Sequence, residues 1–430
     1  MKEPQKTTSR RDFLKGSAAL ASCAVLGFPT IVPSTVFGAK APSNRIAIGC
    51  VGVGGMGMFN LKGFLQQPNT QIAAICDVDR DHLQKALLEA GLDASAGVSD
   101  FRELIGRDDI DVIVNSTPDH WHVPIPLAAV KAGKDVYCEK PLSLTIQEGR
   151  VLADAVRRYG RALQTGSHQR SDAGFRRACE LVRNGAIGTL KSILVEIPPN
   201  NRQSPPEGWP KQPVPPELNY DFWLGPAPWA PYTEQRCHYS FRFILDYSGG
   251  QMTNWGAHHL DIAQWGHGSD LSGPVRIEGR GEFPDSGLFN TAVTVDLVYT
   301  YADGVTLLCK NGSGSGGVTF TGDEGRIYVS RGGLTAQPES LLKTAIKPDG
   351  IRLYYSQDHR ENFLECVRNR KAPIASAEIG HRSAALCHLG NIAMLLGKPL
   401  QWDPDKEEFV GNDSANRMRF RSMREPWNVG

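Results

Sequence analysis

The sequence predicts an α/β chain with an α+β second half. An N-terminal doubly wound parallel sheet comes first, then a C-terminal α/β domain built on an open, mostly antiparallel sheet. Three observations predict it. From Arg45, short apolar runs alternate with stretches of helical spacing, the pattern of a parallel sheet covered on both faces. The first run, "RIAIGCVGVGGMG", closes in Gly52-x-Gly54-x-x-Gly57. Beyond Gly185 the texture turns to strand-like runs with short turns, as in an antiparallel sheet.

Ahead of the first strand stands "SRRDFLKGSAALASCAVLGF". Arg10 and Arg11 precede Phe13 and Leu14, an apolar run rich in Ala, Leu and Val follows, and small residues gather at Gly38, Ala39 and Ala41. This three-part layout is a secretory signal resembling the twin-arginine kind. It predicts residues 1–39 as the signal, the twin-arginine export machinery as a partner, and a periplasmic or otherwise exported product. "LASC" resembles a lipoprotein box that would anchor Cys23, but the residues after it stay apolar as far as Phe37 where a polar tether is usual. No later segment has the roughly twenty apolar residues of a membrane span.

Net charge is +1, from 47 basic and 46 acidic side chains, so there is no electrostatic case for a nucleic acid or a membrane surface as partner. Nine cysteines invite a disulfide reading. Cys50, Cys76 and Cys138, however, sit inside apolar runs that read as buried strands, and no CxxC pair occurs. Free thiols are expected of a chain that folds in the reducing cytoplasm before export.

The remaining length fits two domains, read as 40–165 and 166–430. In the first, "RIAIGCVGVG", "QIAAICD", "DVIVNST", "DVYCEKP" and "ALQTGS" are the strands, and 79–90, 123–132 and 145–159 have helical spacing. Ligands of such sheets bind at the carboxyl ends of strands. Gly52 allows a tight turn, Gly54 a close approach of the backbone to a pyrophosphate, and Gly57 close packing of the next helix. The N–H groups of that helix face the phosphate. Asp77 lies twenty residues past Gly57, where a carboxylate binds ribose hydroxyls. The set predicts a Rossmann dinucleotide site. An acid at 77 repels a 2′-phosphate and favours NAD over NADP; Arg80 nearby is the one cation that would suit NADP.

Later strand ends carry "STPDHWH", "EKP" and "TGSHQR". Thr117, His120, Glu139 and Lys140 are therefore candidates toward the cofactor, and His168 and Arg170 toward a substrate. A Lys at a strand end is desolvated by the crevice, which lowers its pKa. His120 and His122 have a ligand spacing, but no Cys or Asp cluster completes a set, so no metal is expected.

In the second half "LKSILVEI", "TAVTVDLVYT", "GVTLLCK" and "GRIYVS" read as strands. Between the first two, 198–231 holds eleven prolines with Trp209, Trp223 and Trp229, a packed irregular segment that reads as a substrate lid, a subunit contact or an ordered surface excursion. "SGGQMTNWGAHHLDIAQWG" follows. Thr253 or Asn254 can cap a helix there and Gly266 can end it. Asn254, His258, Asp261 and Trp265 then share one stripe. His258 is the functional candidate, Asp261 a candidate substrate contact that could instead orient His258 or make a structural bond, and His259 a packed histidine.

The glycine fingerprint, "EKP", "MTNWGAHHLDIAQW", "FTGDEGRIYVSRG" and "GHRSAALCHLGNIAMLLGKPLQWDP" together resemble the Gfo/Idh/MocA (glucose–fructose oxidoreductase / inositol dehydrogenase) family, in its exported branch. The resemblance runs from Arg45 almost to the end. It implies a Rossmann domain, a second domain whose open sheet makes homo-oligomer contacts, a cis Lys140–Pro141 bond, and a sugar substrate. It maps the family's catalytic lysine and Asp-x-x-x-His pair onto Lys140, Asn254 and His258, with Asn where the family has Asp. Asn hydrogen-bonds a hydroxyl but takes no proton, which leaves the proton work to His258 and Lys140. Three readings follow: an exported oxidoreductase recycling a retained cofactor on sugars or glycosides; a redox-neutral, NAD-dependent glycosidase; and a sugar-binding protein with a degenerate site.

Replacing Arg10 and Arg11 together by Lys is expected to hold the protein in the cytoplasm. Cell fractionation with immunoblotting checks this, and full appearance of the double variant in the envelope contradicts the twin-arginine reading.

Overall fold

A computed structural model describes residues 45–429 apart from 201 and 206; the export signal and Cys23 lie outside the described residues. Residues 46–430 form one compact unit holding two sheets. The first sheet comprises β1 (Ile46–Val51), β2 (Thr70–Cys76), β3 (Gly97–Val98), β4 (Val112–Asn115), β5 (Asp135–Cys138) and β6 (Leu163–Thr165). Its order is β3-β2-β1-β4-β5-β6, all parallel. The order reverses between β1 and β4, so a crevice opens at their carboxyl ends. All six residues of β1 are buried, as a strand covered on both faces requires. The helices between obey their local signals. Asp79 caps Arg80–Ala90 and Gly91 ends it at φ 65°; Thr145 caps Ile146–Tyr159 and Gly160 ends it at φ 61°.

The second sheet has nine strands. These are β7 (Leu190–Ile197), β8 (Arg276–Glu282), β9 (Thr294–Thr300), β10 (Thr306–Asn311), β11 (Gly317–Gly322), β12 (Arg326–Ser330), β13 (Gly333–Gln337), β14 (Leu400–Asp403) and β15 (Glu408–Phe409). They run in the order β13-β12-β11-β7-β10-β9-β8-β14-β15. Only β7 and β10 pair in parallel, so the sheet is mostly antiparallel. Alternation sorts its faces: Ile193, Val195, Leu297, Tyr299, Leu307, Cys309, Val318 and Phe320 are buried, whereas Asp296 and Lys310 point to solvent. The buried face packs against Ala173–Arg183, Gly256–His267 and Ala377–Leu396 in the largest core. The last of these helices also packs on Ile146–Tyr159 of the first sheet. No described helix is long and apolar enough to cross a membrane.

The helical segment after Gly249 departs from expectation. It begins at Gln251, after Gly250 at φ 69°, breaks at Trp255, and continues as Gly256–His267. Neither Thr253 nor Asn254 is its cap. Thr253 accepts the Gly249 N–H at 2.9 Å instead. Gly266 lies inside the helix and Gly268, at φ 93°, ends it. Gly266 is small for packing, since a Cβ there would strike the Phe320 ring.

Two candidates for substrate binding, Arg170 and Asp261, fall in the interior instead. Both are 1 % exposed. Arg170 donates through Nε and Nη2 to Asp261 at 2.8–3.0 Å and through Nη2 to Asp270 at 2.6 Å. The Ser383 hydroxyl donates to Asp261 at 2.6 Å. A carboxylate so engaged has no reach to His258, so of the roles considered for Asp261 the structural one holds. Arg170→Met is expected to lower unfolding free energy by about 3–5 kcal/mol, the cost of leaving a buried charge unpaired. Chemical denaturation checks it, with a shift below 1 kcal/mol as the contrary result.

Candidate active site

The carboxyl ends of β1, β2, β4, β5 and β6 and the helical segment 251–267 enclose a cavity of about 980 Å³. Its floor is the glycine turn. Gly52 sits at φ 74°, a conformation L side chains rarely adopt, and a Cβ there would come within 2.9 Å of the Thr117 backbone nitrogen. A Cβ on Gly57 would strike the Gly52 carbonyl. The turn therefore has this shape only with glycine at both places. Gly54 then caps Gly55–Leu65, leaving the first N–H groups of that helix turned to the cavity with no acid in the first turn.

Asp77 closes β2 beside this turn. Its Oδ2 accepts the Val53 N–H at 2.7 Å and its Oδ1 the Asp79 N–H at 2.9 Å. Each oxygen keeps a second acceptor position for a hydroxyl. Burial raises the Asp77 pKa against those two backbone bonds. Thr117 lines the same wall, its hydroxyl donating to Asn115 at 3.0 Å. Near this end Asp79, His82 and His238 bring one donor atom each within 4.8 Å of one another, a grouping that sequence spacing hides because His238 lies far along the chain.

Lys140 and His258 meet at the other end. The Lys140–Pro141 bond is cis. Lys140 Nζ donates to the Asn254 carbonyl at 2.8 Å and to Asn254 Oδ1 at 3.2 Å, joining β5 to the helical segment. An ammonium has three donors, so one remains for a ligand. Burial pulls the Lys140 pKa down to about 8, with Arg242 and Arg331 adding to the shift and Glu139 opposing it. His258 lines the cavity, and its buried Nδ1 has no hydrogen-bond partner among the described residues. Burial, then the Lys140 charge, push its pKa well below the ordinary value, so the imidazole is neutral and free to accept a proton. His259 is buried, donates from Nε2 to the Ser315 carbonyl at 2.9 Å, and stacks on Trp255.

Glu139 lines the cavity and accepts from Asn60 at 2.9 Å. His168 lines it too, with Nε2 2.9 Å from the Tyr137 hydroxyl and a pKa lowered to about 2, chiefly by burial. His120 does not line it. Its Nε2 sits 2.9 Å from the Trp223 carbonyl and its ring lies between Trp223 and Tyr247, so the expectation that it meets the cofactor is corrected to a packing role. His122 spends both ring nitrogens on the Pro141 and Thr117 carbonyls.

The proline-rich segment forms a roof. Leu218 through Tyr247 build a small core of their own, and Phe222, Trp223, His238, Tyr239, Phe241 and Arg242 line the cavity. Backbone bonds from Arg80 N to Glu217 O and from Asn219 N to Val78 O stitch it to the β2 end. Arg242 and Arg331, both on the cavity wall, were not singled out from sequence. Arg331 stands in the quoted "YVSRG", where an Arg before paired glycines at a strand end was the available signal.

A nicotinamide dinucleotide fits these residues. The glycine turn and helix N-terminus suit a pyrophosphate, Asp77 suits the adenosine ribose, and His258, its Nδ1 unpartnered, waits at the far end. Comparisons with known proteins agree. Residues 46–167 match the oxidoreductase family NAD-binding Rossmann fold, 204–429 the C-terminal alpha/beta domain of the same Gfo/Idh/MocA oxidoreductases, and 7–27 the twin-arginine translocation pathway signal sequence. The uncharacterized oxidoreductase YrbE of Bacillus subtilis is 24 % identical over 273 residues, 63 % of this chain and 67 % of the relative. A glycosyl hydrolase family 109 protein of Saccharopolyspora erythraea is 32 % identical over 209 residues, covering 42 % of this chain and 44 % of its own length. Aldose-aldose oxidoreductase from Caulobacter crescentus superposes with a TM-score of 0.63 at 19 % identity, covering 83 % of this chain and 99 % of that one. So does the WlbA dehydrogenase from Bordetella pertussis, solved with NADH and UDP-GlcNAcA, at 0.63, 17 %, 84 % and 99 %.

Because its pKa lies near 8, Lys140 is expected to lose its proton about there, where an exposed lysine keeps it to about 10.5. It is an ammonium below that pH and an amine above. The pH dependence of its acylation, read by peptide mass spectrometry, gives the midpoint. Asn254→Asp should raise it, since a carboxylate beside the ammonium favours the charged form; an unmoved midpoint contradicts the Lys140–Asn254 contact.

Proposed function

Since the chain belongs to the Gfo/Idh/MocA oxidoreductase family and carries a twin-arginine export signal, we propose that it oxidises a secondary hydroxyl of a sugar or glycoside with a retained NAD. The observation that carries the reading is the meeting of Lys140, Asn254 and a neutral His258, its Nδ1 unpartnered, at one end of a cavity whose other end is a dinucleotide cradle. NAD rather than NADP follows from Asp77, whose carboxylate repels a 2′-phosphate.

The bound nicotinamide supplies the hydride acceptor. His258 takes the hydroxyl proton on its free imidazole. The remaining N–H of Lys140 donates to the same oxygen and stabilises negative charge as it develops there. Asn254 holds the ammonium in place through its carbonyl and Oδ1, and as an amide takes no part in proton transfer. The roof from Phe222 to Arg242 excludes water from the reacting carbon. An exported enzyme meets no cytoplasmic pool of NAD, so oxidation of one sugar hydroxyl would be balanced by reduction of a carbonyl group on a second organic molecule bound at the same residues. A second copy packing on the open face of the nine-stranded sheet, where Leu308 is 37 % exposed, completes this reading as a homo-oligomer.

A second reading rests on the glycosyl hydrolase family 109 relatives, one of them 36 % identical over 158 residues. In it the oxidised glycoside loses its aglycone by elimination, water adds across the double bond so formed, and the ketone is then reduced again, with no net redox change. A degenerate sugar-binding protein is disfavoured by the intact Lys140–His258 pair.

The purified protein is expected to release about one NAD per chain on denaturation. On a glycoside panel, a keto-sugar marks the oxidoreductase, a split glycoside without net redox the glycosidase, and neither product the binding protein. Lys140→Ala and His258→Ala should each cut turnover at least about a hundredfold with NAD still bound. Near-normal turnover of His258→Ala overturns its role as base.

A further inference from the structure

The catalytic end of the cavity carries more positive charge than hydride transfer from a neutral sugar needs. Arg242 and Arg331 both line it, and neither has a carboxylate within 4 Å among the described residues. Each guanidinium sits over aromatic rings. Arg331 lies 4.8 Å over Trp255, whose own neighbour is His258 at 5.9 Å. Arg242 lies 4.9 Å over Tyr239 and 4.7 Å over Phe241, with Nη1 donating to the Tyr239 carbonyl at 3.0 Å. Stacking fixes the plane of a guanidinium and leaves its N–H fork at the edge, which suits a carboxylate or phosphate. The acids at this end take their hydrogen bonds from neutral donors and form no ion pair within 4 Å with Arg242 or Arg331 among the described residues. Asp119 accepts the Ser248 hydroxyl at 2.5 Å, and Glu139 accepts Asn60 at 2.9 Å and the Lys140 N–H at 3.3 Å. With Lys140 this makes three cations against the two carboxylates of Asp119 and Glu139, and Arg331 has no acid of its own among the described residues, so an anion from the ligand would balance the charge at this end.

We infer that the substrate is an anionic pyranoside, a sugar bearing a carboxylate or phosphate that Arg242 and Arg331 hold beside Lys140 and His258. This rests on the sugar-oxidoreductase reading above and names the class of sugar. A charged hydrogen bond of this kind contributes enough to favour the anionic over the neutral ligand by about tenfold or more. Arg242 supplies it from the roof and Arg331 from the β12–β13 turn, so the anion also ties the two sides of the cavity together.

The test is calorimetric titration of the NAD-loaded protein with methyl glucuronide, methyl glucoside 6-phosphate and methyl glucoside. The glucuronide or the phosphate is expected to bind at least about tenfold tighter than the neutral glucoside, and whichever does so identifies the anion. In Arg331→Gln and in Arg242→Gln that ratio should fall about tenfold, with NAD content unchanged. Equal affinity for charged and neutral sugars in the parent protein overturns the inference and leaves the sugar reading standing. Loss of NAD from Arg331→Gln also overturns it, by putting that guanidinium on the cofactor. Binding of no sugar of either kind overturns the sugar reading itself, and this inference with it.

Discussion

The arrangement depends on one buried contact, the ion pair between Arg170 and Asp261. Arg170 follows the last strand of the parallel sheet, and Asp261 stands one turn along the helix that carries His258. Asp270 accepts from the same guanidinium and Ser383 donates to Asp261, so four segments are tied into one network. A bidentate fork tolerates little rotation, and fixing Asp261 fixes the face that the helix turns to the cavity. A buried pair of this type adds little net stability over apolar packing. What it sets here is orientation: Asp261 lies one turn along from His258 on the same side of the helix, and holding it fixes the rotation with which His258 meets the crevice.

The cavity is electrostatically divided. At the adenosine end the charge is acidic, from Asp77 and Asp79. At the catalytic end it is basic, from Lys140, Arg242 and Arg331. The same burial acts on both ends with opposite effect, raising the Asp77 pKa and lowering those of Lys140, His168 and His258. Clustering cations beside His258 reinforces this, since each one disfavours a further proton. The imidazole is kept neutral by burial first and by these neighbours second, with an amide and no carboxylate at position 254.

Much of this was legible in the sequence, and the reasons differ by element. The strands of the parallel sheet were visible because each is an apolar run stopped by Gly or a polar cluster. The two-residue β3 has no such run and was missed. Lys140 and His258 were found by position, one at a strand end and one on a polar stripe. Asp261 shared that stripe, but helical spacing gives a face and not what lies across it. Arg170 lies ninety-one residues away, so their pairing left no local trace. His120 failed for a related reason: strand-end loops face the crevice on average, while its ring turns back under the roof. Arg242 sits in a segment without periodicity, and only the fold brings it beside Arg331.

The eight described cysteines are all unpaired and buried, and burial pushes Cys50 up to about 12 and Cys138 higher still. Thiolate is the form that reacts with oxidants and disulfides, so the folded protein is chemically silent in an oxidising compartment. Among the described residues no cysteine pair calls for disulfide exchange. The silence lasts as long as the packing does. A transient opening exposes thiols that can then cross-link and not return, which turns reversible breathing into permanent loss. For this protein, lifetime outside the cytoplasm is governed by how often its core opens.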